Sequence, residues 1–205
     1  MPHRARPRHE PRHPVHVTLR AGLRALRAQS VFAEIRRALA LGSRSTFRIV
    51  HFSVQTNHIH LIVEAHDKQT LSSGVRGLVI RAARGINRAV GRQGRVWADR
   101  YHARALGTPR EVRNALVYVL LNRRKHSLPR PGLALSELDP CSSAAWFDGW
   151  KTPPAELPSG THGAVALARG QPPAHPAVAR ARTWLARIGW RRHGLLRSNE
   201  APKTT

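Results

Sequence analysis

Two neighbouring stretches alternate apolar and polar residues at the period of a β-strand. Phe47, Ile49, Val50, Phe52 and Val54 mark the first, and His58–Ala65 resumes the pattern after Gln55-Thr56-Asn57, a turn-like tripeptide. The pair predicts an antiparallel hairpin. Val15–Leu19 is a shorter β-branched run with Val15, Val17 and Leu19 on one side. Elsewhere the apolar spacing lengthens to that of a helix. Ser30 is placed to cap a helix through Glu34, Ile35, Leu39 and Leu41, stopped at Gly42. Thr70–Arg92 predicts an amphipathic helix whose outer face carries Arg76, Arg81, Arg84, Arg88 and Arg92, interrupted by Gly74, Gly77 and Gly85. Arg95–Leu106 reads as a fourth strand. Thr108, Pro109 and Glu111 then form a capping-box start for a helix running to about His126.

The order β-α-β-β-α-β-α predicts an α+β fold, an antiparallel sheet with helices packed on one face. Residues 1–14 form a flexible basic arm, 15–130 the domain, and 131–205 an irregular Pro-rich extension. The extension carries a helical stretch, Ala177–Ile188, and then Gly189-Trp190-Arg191-Arg192-His193.

Charge narrows the partners. There are 35 Lys+Arg against 11 Asp+Glu, formally +24. Most of the excess is arginine, whose planar fork suits phosphate. A salt-sensitive nucleic-acid partner follows. An acidic membrane surface is the other polyanion, but no basic helix has a strongly apolar face. The single cysteine, Cys141, excludes an internal disulfide and a Cys-based zinc module. No apolar run approaches the roughly eighteen residues of a membrane span, and the N-terminus lacks a signal-like apolar segment. The expected compartment is the cytoplasm.

The candidate chemistry lies in two places. His58 and His60, two apart on a strand, project to one side, while Ile59, Leu61 and Val63 face the core. Imidazole nitrogens suit zinc, manganese, nickel or copper; solvated or hydrogen-bonded structural histidines give the same pattern. Tyr118 and Asn122 are i and i+4 on a helix, with Glu111, Asn114 and Lys125 sharing or flanking their face. Val112, Leu116, Val119, Leu120 and Leu121 lie opposite. A tyrosine at a core edge with a wet hydroxyl is the ordinary alternative. Taken together, the groups offer a metal site beside a nucleophile, with a nucleic-acid phosphate as the electrophile.

At this point the chain resembles a known family. Asn57-His58-Ile59-His60-Leu61-Ile62-Val63 is similar to the His-hydrophobic-His strand of the HUH single-tyrosine transposases. The likeness continues through Val96-Trp97-Ala98-Asp99-Arg100-Tyr101-His102 to Val117-Tyr118-Val119-Leu120-Leu121-Asn122, over about residues 14–130. The nearest branch is that of the REP-associated tyrosine transposases. The resemblance implies a ferredoxin-like sheet, with Tyr118 as nucleophile and a divalent ion (Mg2+ or Mn2+) held by His58, His60 and Asn122. It further implies a covalent 5′-phosphotyrosine on single-stranded or hairpin DNA, leaving a free 3′-hydroxyl, and a monomer or homodimer. Two features depart from that pattern. Arg12-His13-Pro14-Val15-His16-Val17-Thr18 lacks the Gly-Thr-Tyr-like segment that reads a hairpin foot. Asn122 is followed by Arg123 where Asn-Pro is usual.

Other residues carry lesser expectations. Tyr101 is a rival nucleophile, and His102 a ligand, substrate contact or surface histidine. Glu64 shares the histidine side and could support the ligands, and Gln55 could contact DNA or shape its turn. Lys125 could steady a phosphate and His126 shuttle a proton. The helix arginines and the arm would meet backbone phosphates. Phe52, Trp97 and Tyr101 are candidate stacking surfaces, although Phe52 also suits the core. Arg187, Trp190, Arg191, Arg192 and His193 read either as a DNA-contact patch or as the solvated edge of a small helix packed through Trp184. Three functions compete: a nicking and rejoining enzyme, a non-catalytic DNA- or RNA-binding regulator on the same fold, and a metal-dependent phosphoesterase using water.

Overall fold

The computed structural model describes residues 9–122, 138–152 and 177–202. Its regular elements run β1 (Val15–Arg20), α1 (Gln29–Ala40), β2 (Phe47–Val54), β3 (His58–Ala65), α2 (Lys68–Ala89), β4 (His102–Ala105), α3 (Pro109–Leu120) and α4 (Trp184–Arg187). The four strands form one antiparallel sheet in the order β2-β3-β1-β4. The first six elements therefore have the βαββαβ arrangement of a ferredoxin-like fold. The α+β antiparallel class agrees with the sequence pattern.

Strand alternation builds two cores. Val15, Val17 and Leu19 of β1, with Ile59, Leu61 and Val63 of β3, face α1 and α2 in the first core. Gly74 of α2 lets the helix close on the sheet, since a Cβ there would sit 2.3 Å from the Phe47 ring. Helices on one face describes α1 and α2; α3 lies on the other. There Val112, Leu116, Val119 and Leu120 pack on Ile62 and on Val50, the extra residue where the β2–β3 register shifts. Phe147, Trp150, Leu185, Trp190 and Leu196 complete this second core. Residues 138–152 and 177–202 thus extend the folded body. Cys141, Ser143 and Ala179 also bond the free edge of β2, through Val54 N to Cys141 O (2.8 Å), Ser143 N to Phe52 O (2.9 Å) and Ala179 N to Ile49 O (2.8 Å). A capped edge offers no row of open backbone groups to another chain.

Several element limits differ from the sequence pattern. The expected strand 95–106 shrinks to His102–Ala105. Arg95 turns its guanidinium onto the Trp97 carbonyl (2.5 Å) and the Ala98 carbonyl, while Trp97 is tucked under α2 with its indole N–H on Val79 O (3.0 Å). Only the single bridge Ala21–Trp97 pairs in that stretch. Ser30 does not cap α1: Ala28 is the N-cap, without a side-chain bond. Tertiary contacts fix the chain there instead, with Arg27 donating to Val54 O (2.7 Å) and pairing with Asp139 (2.6 Å). Helix α2 starts before Thr70 because Asp67 and Thr70 form a capping box. Helix α3 has the expected Thr108–Glu111 box and ends at Leu120. Residues 1–8 of the arm, and Arg123, Lys125 and His126, lie outside the described residues.

Candidate active site

The sheet face under α3 is where the polar signals meet. In register, Thr18 of β1 stands beside His60 on one side and His102 on the other, and His16 stands beside Ile62 and Arg104. His58, His60, His16, Thr18 and Arg104 therefore share one side of the sheet. The sequence pattern put His58 and His60 on an outer face; in the fold α3 covers it, and His60 is only 4% exposed.

The rings are close. The His58 and His60 centroids are 4.7 Å apart at 82°, and His16 to His60 is 5.3 Å. Tyr118, half-buried on α3, places its ring 4.9 Å from His60 at 81° and 5.8 Å from His16. The Nδ1 atom of each strand histidine is held by a neighbour. His58 Nδ1 lies 2.9 Å from Asn57 Oδ1, while His60 Nδ1 lies 3.2 Å from Thr18 Oγ1 and 3.3 Å from His16 Nε2. Such contacts fix the orientation of the rings, and His60 Nε2 is itself buried. Asn122, two residues past the end of α3, is fully buried, and neither atom of its amide has a hydrogen-bond partner among the described residues. A buried carboxamide left so is a costly group unless something else ligates it. Imidazole nitrogens and a carboxamide oxygen are donor types that suit a divalent ion. No group of three His, Cys, Asp or Glu suited to a metal occurs among the described residues.

A cleft of about 260 Å³ opens beside Tyr118, between α3 and the β1–β4 side of the sheet. His16, Thr18, His60, Arg104, Arg113 and Asn114 line it, as does Glu111. Arg104 pairs with Glu111 (2.9 Å), which also closes the α3 capping box, so the start of the tyrosine helix is tied to β4. Burial, reinforced by the Arg104 guanidinium, pushes His16 down to about 4. It is neutral near pH 7 and keeps one nitrogen as an acceptor. His16, Thr18 and Arg104 were not singled out as site residues; their signal was only the strand alternation shared with His60.

Other candidates fall elsewhere. Tyr101 packs beside the first core, on the far side of the sheet from Tyr118, and His102 is exposed on β4. Glu64 does not support the histidines: its carboxylate accepts from Arg182 N and Thr183 N at the start of α4. Gln55 is buried in its turn, donating to Ser53 Oγ at 2.6 Å. Phe52 and Trp97 are core residues rather than stacking surfaces, and Trp190 is 1% exposed. Arg76, Arg84 and Arg88 are exposed and Arg81 half-buried on α2, across the sheet from Tyr118. Arg191 pairs with Asp148 (3.0 Å), and Arg192 is exposed. No helix among the described residues is long and apolar enough to cross a membrane.

Comparison with known proteins bears on the fold and the family. The fold is similar to that of a REP-associated tyrosine transposase solved bound to a REP hairpin, with a TM-score of 0.50 and 20% identity, covering 62% of this chain and 75% of that one. A candidate transposase from Deinococcus radiodurans R1 is also similar, with a TM-score of 0.36 and 16% identity, covering 49% of this chain and 83% of that one. No curated protein sequence matches. The profile of the family described as transposase IS200 like matches residues 16–120, just over half of the chain and the span from His16 through Tyr118, so the chain belongs to the IS200-like transposases.

Proposed function

We propose that the protein cuts and rejoins single-stranded DNA, hairpin-flanking strands included, with Tyr118 as the nucleophile. The observation that carries this reading is the 4.9 Å edge-on approach of the Tyr118 ring to His60. It joins residues far apart in sequence. His58, His60 and Asn122 would hold a divalent ion, Mg2+ or Mn2+, and the orphaned Asn122 amide supports that set. When bound, such an ion draws charge from the non-bridging oxygens of the scissile phosphate.

A phenol is a weak nucleophile near neutral pH, because its ordinary pKa is about 10. Tyr118 Oη loses its proton as it bonds to phosphorus, and the bond from phosphorus to the 3′ oxygen breaks. That oxygen takes up a proton and leaves as a free 3′-hydroxyl, with the 5′-phosphate on Tyr118. The ester energy is retained, so attack by another 3′-hydroxyl reverses the step onto a new strand. Neutral His16 and Thr18 hold the His60 ring in register with the helix. The cleft beside Tyr118 admits the strand.

The test incubates the protein with Mn2+ and a hairpin oligonucleotide bearing single-stranded flanks, then looks for a covalent adduct on a denaturing gel. Adduct is expected with the unmodified protein and with Tyr101→Phe. It is absent with Tyr118→Phe, which still binds the DNA. Cleavage without adduct that survives Tyr118→Phe points to the water-using phosphoesterase. Binding with neither cleavage nor adduct points to the non-catalytic regulator.

A further inference from the structure

The C-terminal group that bears α4 presents an exposed aromatic surface that is not part of the Tyr118 cleft. Trp184 is 47% exposed and Ile188, four residues on, is 51% exposed. These are large apolar areas for a segment whose neighbours Leu185 and Trp190 are buried against α3. The indole is held in place: a Cβ at Gly189 would lie 2.6 Å from its ring, so only glycine allows the ring to rest there. The Arg192 guanidinium lies over the ring, 4.8 Å from its centroid.

The surroundings are cationic. From Arg182 to Ser198 the chain has no Asp or Glu. Arg182, Arg187 and Arg192 are exposed, and none of the ion pairs among the described residues uses them. An exposed aromatic face with unpaired arginines around it matches single-stranded nucleic acid, whose bases stack while its phosphates are neutralised. The apolar area is limited to Trp184 and Ile188, too small for insertion into a lipid surface.

We infer that Trp184, with Ile188 and Arg192, is a stacking platform for an unpaired base of the DNA strand, separate from the Tyr118 cleft. The inference rests on the reading of the chain as a single-strand DNA enzyme. It adds a second hold on the strand, outside the span matched by the family. The base lies against the indole and Ile188. Arg192 swings from the ring to a phosphate, and Arg187 takes a neighbouring one. Because α4 packs on α3, a strand gripped here is fixed relative to the helix that carries Tyr118.

The test titrates the full chain with a homothymidine oligonucleotide and follows tryptophan emission. Of the five tryptophans, Trp97, Trp150 and Trp190 are buried and Trp146 is half-buried, so the share of the quenching that Trp184→Leu removes is the share that reports on Trp184. Trp184→Leu keeps an apolar side chain without the ring. It is expected to lose most of the quenching and to bind roughly tenfold more weakly, the scale of one stacked base. Trp184→Phe should retain most of the affinity. Arg192→Ala should weaken binding less, and its affinity should fall less steeply with salt, by about one counterion. Tyr118→Phe should quench as the unmodified protein does, so failure of the nicking chemistry and failure of this platform give different patterns. The inference is overturned if Trp184→Leu binds the oligonucleotide within twofold of the unmodified protein. It is equally overturned if the substitution impairs binding only to phosphatidylserine vesicles.

Discussion

Glu64 clasps the C-terminal segment to the sheet, and its removal gives a quantitative test of the second core. The carboxylate is buried on β3, 4% exposed. It accepts from Arg182 N at 3.0 and 2.9 Å, from Thr183 N at 2.8 Å and from Thr183 Oγ1 at 2.9 Å, with Arg48 Nε at 3.6 Å. Glu64→Ala leaves three donors without their acceptor and the Arg48 cation without its counter-charge. Each hydrogen bond to an ionised acceptor is worth about 1.5–3 kcal/mol. The donors sit on one short segment that can turn to water, so the losses do not add, and a total of about 3 kcal/mol follows. At roughly 2–4 °C per kcal/mol for a chain of this size, the melting temperature should fall by about 6–12 °C. Glu64→Gln keeps one acceptor oxygen and should cost about half as much. Urea unfolding followed by circular dichroism measures the loss, and amide exchange should show faster opening over 182–193. A loss under about 1 kcal/mol, with unchanged exchange there, refutes the clasp. If metal affinity falls instead, Glu64 belongs with the histidines, as its strand position first suggested.

Two further outcomes follow from the packing and capping. Gly74→Ala drives a methyl group into the Phe47 ring, 2.3 Å away, and should destabilise the protein by about 1–3 kcal/mol in urea titrations. Asp67, the N-cap of α2, is held down to about 2, chiefly by the Thr70 amide and then by the Thr70 hydroxyl, against an ordinary value of 3.8. Its folded pKa lies below its unfolded one, so its stabilisation is present above about pH 4 and disappears as the pH falls toward 2. The melting-temperature gap between the unmodified protein and Asp67→Asn should therefore narrow across that window; a gap independent of pH contradicts the capping role.

Local physics carried the parts of the fold that the sequence made legible. The β2–β3 hairpin, the α3 capping box and the buried side of α3 each follow from neighbours in the chain. So does the shared side of His58 and His60 on their strand. The rest depended on contacts between distant segments. Nothing local in Val15–Leu19 says that His16 will lie against His60, because that contact comes from the pairing of β1 with β3. Glu64 looked like a partner of the histidines because strand alternation gives direction but not neighbour, and its neighbour is Thr183, more than a hundred residues on. Trp190 and Trp184 exchanged roles for the same reason. Each sits among arginines, and only packing against α3 buries the first and leaves the second open. The shortened β4 reflects Arg95 and Trp97 finding partners of their own.

The chain has two tyrosines, which makes one measurement decisive for the convergence of Tyr118 with the imidazoles. Tryptic digestion separates them, Tyr118 in the peptide from Asn114 to Arg123 and Tyr101 in the peptide from Tyr101 to Arg104. Mass spectrometry of the protein after reaction with Mn2+ and a hairpin oligonucleotide should find the 5′-phosphonucleotide on the Tyr118 peptide. Loss of His60 should abolish it. The nucleotide on the Tyr101 peptide, or on neither while the strand is nevertheless cut, contradicts the account.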